Sequence, residues 1–147
     1  MSMVDITSKL NAYREATAKG RIKLRAETIR LIKEGLVEKG DPLHTAKIAS
    51  ILAAKNTSSL IPLCHPIPIT NVKVEARIVD ENTVEVESTV KTKAQTGVEM
   101  EALVATTIAL LTIWDMVKQY EKDANGQYPY TTIQDIHVVR KVKHEIE

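Results

Sequence analysis

Residues 102–114, inside the longer stretch Thr96–Lys118 (TGVEMEALVATTIALLTIWDMVK), carry no formal charge. Charges crowd at both ends of that run: Glu99 and Glu101 before it, Asp115 and Lys118 after it. Most of the residues are good helix formers, Thr96-Gly97 stands in front and the charged segment QYEKDANG behind. The pattern predicts one buried helix of about six turns. About 13 uncharged residues are too few to span a bilayer as a helix, which takes about 20. The chain must build a core around this helix, and ionisable groups gather where it enters and leaves that core.

The length of 147 residues suits one domain, and the 44% hydrophobic content suffices for a sizeable core. With no Phe and one Trp, that core is aliphatic. A net charge of +1 argues against a broad electrostatic footprint for nucleic acid, although a local basic pocket stays possible. The single cysteine, Cys64, excludes an intrachain disulfide and fits a reducing compartment. The first residues, MSMVDITSKLNAYR, have no apolar signal region, so no secretory signal and no membrane span are expected, and the expected location is the cytoplasm.

Taken in order, residues 1–20 read as an irregular N-terminal arm, and residues 21–147 as a single domain. RIKLR (21–25) alternates polar and apolar as a half-buried strand does. AETIRLIKEGL is an amphipathic helix ending near Gly35. Asp41 reads as the N-cap of the next helix, with Pro42 at its first position, and that helix ends around residues 55–57. SSLIPLCHPIPIT carries three prolines, which argues against helix and central strand, and its apolar character predicts that it is buried or covered. Two alternating strands follow, with Val72, Val74, Ala76 and Ile78, then Val84, Val86, Ser88 and Val90, on one face; they form a hairpin. After the long helix, a loop through DANGQYPY leads to a last strand. This order predicts an α+β fold: an antiparallel, ferredoxin-like sheet with helices packed on one face.

Several polar groups are candidates for chemistry. Asp115 and Lys118 lie i,i+3 on one helix; such a pair is ordinarily a surface ion pair, but a lysine desolvated beside a carboxylate can do acid–base work. Glu99 and Glu101, two apart, face about 200° from each other, and acids are also simply favourable in a first helical turn. Glu101 and Asp115 are separated by roughly 21 Å along the axis. One small ligand cannot easily touch both from one helix, so either there are two sites or a neighbouring subunit supplies the missing end. His65, fixed by prolines, suits a donor or proton shuttle as well as a structural role. Cys64 reads as a buried small hydrophobe, and the histidines lack the spacing of a zinc site. Lys39, Lys55, Arg14, Arg25 and Lys141 are unremarkable alone, and no phosphate-loop or dinucleotide-binding glycine motif occurs. On these residues alone, an enzyme, a ligand-binding oligomer and a structural assembly domain all stay open.

Taken together, MVDIT, YREATA, KGD, AAKNTSSLIPLCHP, TGVEMEAL and LTIWDMVK resemble the MoaC family of molybdenum cofactor biosynthesis, from Met3 to about Lys141. The resemblance implies a ferredoxin-like subunit in a hexamer, a trimer of dimers, with active sites between subunits. It implies conversion of (8S)-3′,8-cyclo-7,8-dihydroguanosine 5′-triphosphate, made by a preceding radical enzyme, to cyclic pyranopterin monophosphate and diphosphate. By motif it places Lys39, Asp115 and Lys118 in the catalytic core. Arg14, Lys55, Leu63, Cys64, His65, Glu99, Met100, Glu101 and Lys141 are then substrate-binding. The reaction needs no redox change, hence no flavin or metal cluster; magnesium can accompany the triphosphate without a dedicated site. A tuned Lys118–Asp115 pair, working with Lys39, would be the acid–base set. Two departures stand out: the family often ends in Lys-Ser-Gly-Gly-Lys-Ser-Gly where this chain reads RKVKHEIE, making Lys141 and Lys143 the available substitutes, and Trp114 stands where tyrosine is common.

Overall fold

A computed structural model describes residues 1–146. Its elements run β1 (Ala12–Lys23), α1 (Ala26–Glu34), α2 (Pro42–Lys55), α3 (Thr57–Leu60), β2 (Ile69–Asp80), β3 (Thr83–Ala94), α4 (Glu99–Glu121) and β4 (Thr132–Glu145). The four strands form one antiparallel sheet in the order β2-β3-β1-β4. Helices α2 and α4 pack together on one face of it. This is the expected ferredoxin-like α+β architecture.

The arm is shorter than the sequence suggested. It ends at residue 11, because Ala12–Lys23 is a strand of 12 residues at the centre of the sheet. Its helix-facing residues are small: Ala12, Ala16 and Ala18 are buried, with Gly20 and then Ile22 continuing the row. Alanine and glycine carry little hydrophobic signal, so an alternation built on them reads as irregular. Their size is what the packing requires. A Cβ on Gly20 would lie 2.7 Å from Leu110 Cδ1 and 2.9 Å from Ile136 Cγ1. Opposite, α4 presents Ala102, Ala105 and Ala109, all fully buried.

Helix α4 has 23 residues. By length and composition it could cross a membrane, but its apolar side chains Leu110, Ile113 and Val117 are the centre of the core, buried with Ile22, Leu24, Ile29, Val84 and Val86. Its threonines are accommodated because their hydroxyls return to the preceding turn: Thr106 to Ala102 O at 2.9 Å and Thr107 to Leu103 O at 2.8 Å. The sheet's other face is polar, where the nearly buried Glu85 is paired with Arg77 at 2.8 Å and Arg21 at 3.0 Å.

Several local expectations hold. Asp41 Oδ1 accepts from the Leu43 and His44 N–H groups at 3.0 and 3.2 Å, with Pro42 opening α2. Gly35 ends α1 in the left-handed conformation, φ 68°. The proline segment differs. One helical turn, α3, precedes it, and in the single chain it lies largely at the surface, with Leu60 and Leu63 exposed. Hydrophobicity alone does not say whether a segment is covered by its own chain or left uncovered by it.

Helix α1 has no side-chain cap of its own. The cap comes from the far end of α4: the Glu121 carboxylate, 1% exposed, accepts the Arg25 N–H at 3.2 and 3.1 Å, the Thr131 hydroxyl at 2.7 Å and the Thr28 hydroxyl. Removing it strands two buried hydroxyls and the part-buried Arg25 N–H. Glu121→Ala is expected to lower the unfolding free energy by about 3 kcal/mol, measured as a lower urea midpoint at unchanged slope.

Candidate active site

The C-terminal end of α4 holds the first cluster. Asp115 Oδ1 lies 3.0 Å from Lys118 Nζ, one turn on. Lys39, from the loop between α1 and α2, reaches across: its Nζ donates to the Asp115 carbonyl at 2.9 Å and stands 3.5 Å from Asp115 Oδ2. The three residues singled out by motif meet in space, although Lys39 and Asp115 are 76 positions apart. Beside them, Leu111, Trp114, Tyr128 and Ile133 line a cleft of about 450 Å³ shared with Asp115 and Lys118. The Trp114 and Tyr128 rings pack at 5.2 Å, tilted 60°. The sequence marked Trp114 only as a departure from tyrosine and gave no sign of Tyr128 beyond its place in the loop after α4.

These charges are solvated, contrary to the expectation of a desolvated Lys118. The side chains of Lys39, Lys118 and Asp115 are 42, 41 and 60% exposed. Helix α4 stays in the core as far as Glu121, but Asp115 and Lys118 lie on its outward side with the exposed Leu111. The Lys118 hydrogen bond, then its charge and that of Lys39, hold the Asp115 carboxyl below the ordinary carboxylate range. The same bond raises the Lys118 ammonium above its ordinary value. Lys118 is thereby favoured as a cation, and Lys39 offers a second amine beside it. They can neutralise phosphate or deliver a proton, and a lysine must lose this solvation before it can accept one.

The N-terminal end of α4 is different. Glu99 pairs with Lys141 Nζ from β4 at 2.6 Å. Arg14, Glu99, Lys141 and Lys143 line one small cleft of about 140 Å³, with Gly97 and Val98 at its floor. Arg14 is held there by the carbonyls of Ala94 and Gln95, at 3.2 and 3.5 Å. Lys143 stands opposite Arg14 in the sheet register, so the divergent terminus puts a second lysine at this end. Burial works against the Glu99 charge, but the Lys141 hydrogen bond, the helix's first N–H groups and the Lys141 and Arg14 charges outweigh it and lower its pKa.

Glu101 faces the other way and is 2% exposed. Among the described residues its Oε1 has no hydrogen-bond partner, and its Oε2 meets the Cys64 thiol at 3.9 Å. Burial first, and the Glu99 charge after its own N–H contact, raise the Glu101 carboxyl. Two acids two positions apart are thus driven in opposite directions, one towards the anion and one towards the neutral acid. Cys64 is half-buried with its thiol directed at this acid, so it is not the fully buried hydrophobe expected; burial and Glu101 raise its pKa. His65 is also half-buried, and its Nε2 lies 2.7 Å from the Val4 carbonyl. Leu63 and Met100 are exposed nearby in sequence, and Lys55 closes α2 exposed, with no ion pair among the described residues. Among the described residues, no three His, Cys, Asp or Glu side chains gather as a metal cluster.

The two clusters sit at opposite ends of one helix, roughly 21 Å apart. Both are assembled from several elements, and each contains motif residues. Comparison with known proteins decides what they belong to: the model of the MoaC family matches residues 3–144. The chain belongs to the MoaC family. A protein of Sulfurisphaera tokodaii named "probable cyclic pyranopterin monophosphate synthase" is 61% identical over 141 residues, covering 96% of this chain and 93% of its own length. Proteins of the same name from Pyrococcus horikoshii and Saccharolobus solfataricus are 58 and 56% identical, each covering 97% of this chain and 89 and 95% of their own lengths. The family's length and this chain's nearly coincide, so both clusters lie within the matched region.

The raised pKa of Glu101 has a measurable signature. An acid whose folded pKa is raised loses stability as pH climbs from its ordinary value, 4.5, towards the folded one. Glu101→Gln removes that loss. Its melting temperature relative to the parent chain is expected to rise as the pH climbs above about 4.5, followed by thermal melting. Glu99→Gln should do the reverse, since a lowered pKa stabilises above the ordinary range and that contribution disappears on acidification.

Proposed function

We infer that the chain is a cyclic pyranopterin monophosphate synthase of molybdenum cofactor biosynthesis, a lyase acting on a pterin precursor. The observation that carries this is the full-length family match together with the meeting of Lys39, Asp115 and Lys118 at one point of the surface. We take the substrate to be (8S)-3′,8-cyclo-7,8-dihydroguanosine 5′-triphosphate, supplied by a radical enzyme, and the products to be cyclic pyranopterin monophosphate and diphosphate. The reaction is redox-neutral overall. It calls for proton transfers and for neutralising a polyanion, with magnesium at most accompanying the triphosphate. The cytoplasm suits such a step.

In this reading Lys39 and Lys118 are the catalytic cations and Asp115 orients both. Arg14, Lys141 and Lys143 are positioned to receive phosphate, which would compete with Glu99 for Lys141. His65, Glu99 and Glu101 face the heterocycle, with Leu63, Cys64 and Met100 as wall, and Lys55 at the margin. One helix cannot bring its two ends to one substrate. We therefore propose a homo-oligomer, a hexamer built as a trimer of dimers, in which Asp115 and Lys118 of one subunit face Glu101 and His65 of the next. The exposed proline segment and the solvated lysine cluster are two surfaces that such a neighbour would cover. Covering the cluster would also desolvate Lys118, which brings a lysine pKa down towards the range of acid–base catalysis.

Two outcomes test this. Lys39→Ala and Lys118→Ala are each expected to lower turnover of the cyclic triphosphate by at least about 100-fold in protein of unchanged mass and fold, assayed without the radical enzyme. Unchanged turnover in folded protein would sink the catalytic assignment, and Asp115→Asn that shifts oligomer mass without altering turnover would favour an assembly role. Separately, Lys118→Ala and His65→Ala chains, each inactive alone, should regain activity when unfolded and refolded together. Co-refolded mixtures that stay inactive would exclude shared sites.

A further inference from the structure

The segment MVDIT has no part in either cluster by charge, yet the residues from Val4 to Lys9 are tied down at two places. The Val4 carbonyl lies 2.7 Å from His65 Nε2. Further on, the Gln95 side-chain amide donates to the carbonyls of Ile6, at 3.3 Å, and Lys9, at 2.8 Å. Between these anchors the chain turns on itself. Asp5 Oδ1 accepts the Thr7 N–H at 2.8 Å and its hydroxyl at 2.6 Å, and the Lys9 N–H reaches back to Ile6 O at 3.0 Å. Gln95 is itself in a corner held from the other side by Arg14, whose guanidinium donates to the carbonyls of residues 94 and 95. The arm thus runs as a strap from the corner before α4 to the Cys64-His65 loop. Val4 is largely exposed, so the strap is not there for burial.

The chemistry of the Val4 contact is restrictive. A carbonyl oxygen only accepts, so the His65 nitrogen facing it must carry the proton. In the neutral ring the lone pair then lies on Nδ1. Among the described residues this is the ring's one hydrogen bond. We propose that the strap positions His65: the Val4 carbonyl fixes the ring as its Nε2–H tautomer and leaves Nδ1 as the proton acceptor of the site. Val4 and Gln95 are then positioning residues, acting through His65. The catalytic part of this proposal rests on the assignment of His65 to the substrate pocket; the tautomer rests on the contact alone.

The test is made on the full chain, on a chain lacking residues 1–5, and on Gln95→Ala, with His65→Ala to assign the ring's signals. Long-range proton–nitrogen correlation spectra at neutral pH should show, in the full chain, one protonated Nε2 and one unprotonated Nδ1. The truncated chain should show a mixture of tautomers, and Gln95→Ala an intermediate pattern. Truncation should lower kcat at least about tenfold while KM stays within about twofold, the mark of a misplaced group. In the His65→Ala background, truncation should cost nothing further. A mixed tautomer in the full chain, a pattern untouched by truncation, or an equal truncation loss with and without His65 would each overturn the proposal. Full turnover by His65→Ala would instead remove His65 from the proposed pocket, and the spectra would still decide the strap's hold on the ring.

Discussion

The close approach of α4 to β1 governs the rest of the molecule. Alanines on the helix face alanines and Gly20 on the strand, and Leu110 occupies the space a side chain at position 20 would need. Interiors are packed nearly as densely as organic crystals, so a helix this close to its sheet leaves no room for a charge along its middle. On the side that faces the sheet, ionisable groups can occur only where α4 begins and ends.

The two ends then differ in what surrounds them. At the start of α4 the helix is still between the sheet and the Cys64 loop, so Glu101 is enclosed, while Glu99, one step round, meets a lysine and an arginine. Burial and charge thus push a matched pair of acids in opposite directions, one towards the anion and one towards the neutral acid, the division of labour that acid–base sites use. At the far end Asp115 and Lys118 lie on the outward side of a helix whose Val117 and Glu121 stay buried. Asp115 shifts Lys118, but only upward, because water still solvates it. A second surface over that end would reverse the balance, since desolvation acts on Lys118 in the opposite direction to Asp115. In the reading offered above, assembly is therefore a chemical requirement of the lysines as well as a geometric requirement of the helix.

Much of the fold was legible in the residues. Period-two alternation of branched residues marked β2 and β3, Asp41-Pro42 marked the start of α2, Gly35 the end of α1, and the uncharged run marked α4. What escaped did so for physical reasons. As far as residue 20, β1 turns mainly Ala and Gly to the helices, and residues chosen for small volume give no hydropathy signal. The capping of α1 by Glu121 joins groups almost a hundred positions apart, and no local pattern encodes it. The proline segment reads as covered because it is apolar, while in one subunit it is exposed.

The site was legible as a set of residues and not as an environment. Motif resemblance named Lys39, Asp115 and Lys118, and the fold brings them together. Their exposure could not be read from an i,i+3 spacing, because that spacing is the same on the buried and the outward side of a helix. The strap illustrates the same limit from the other direction. Residues 4–9 contain no element and little burial, so a reading by periodicity assigns them nothing. Yet hydrogen bonding is directional where hydrophobic contact is not, and one carbonyl placed at 2.7 Å from a histidine nitrogen selects between two tautomers that the sequence treats as equal.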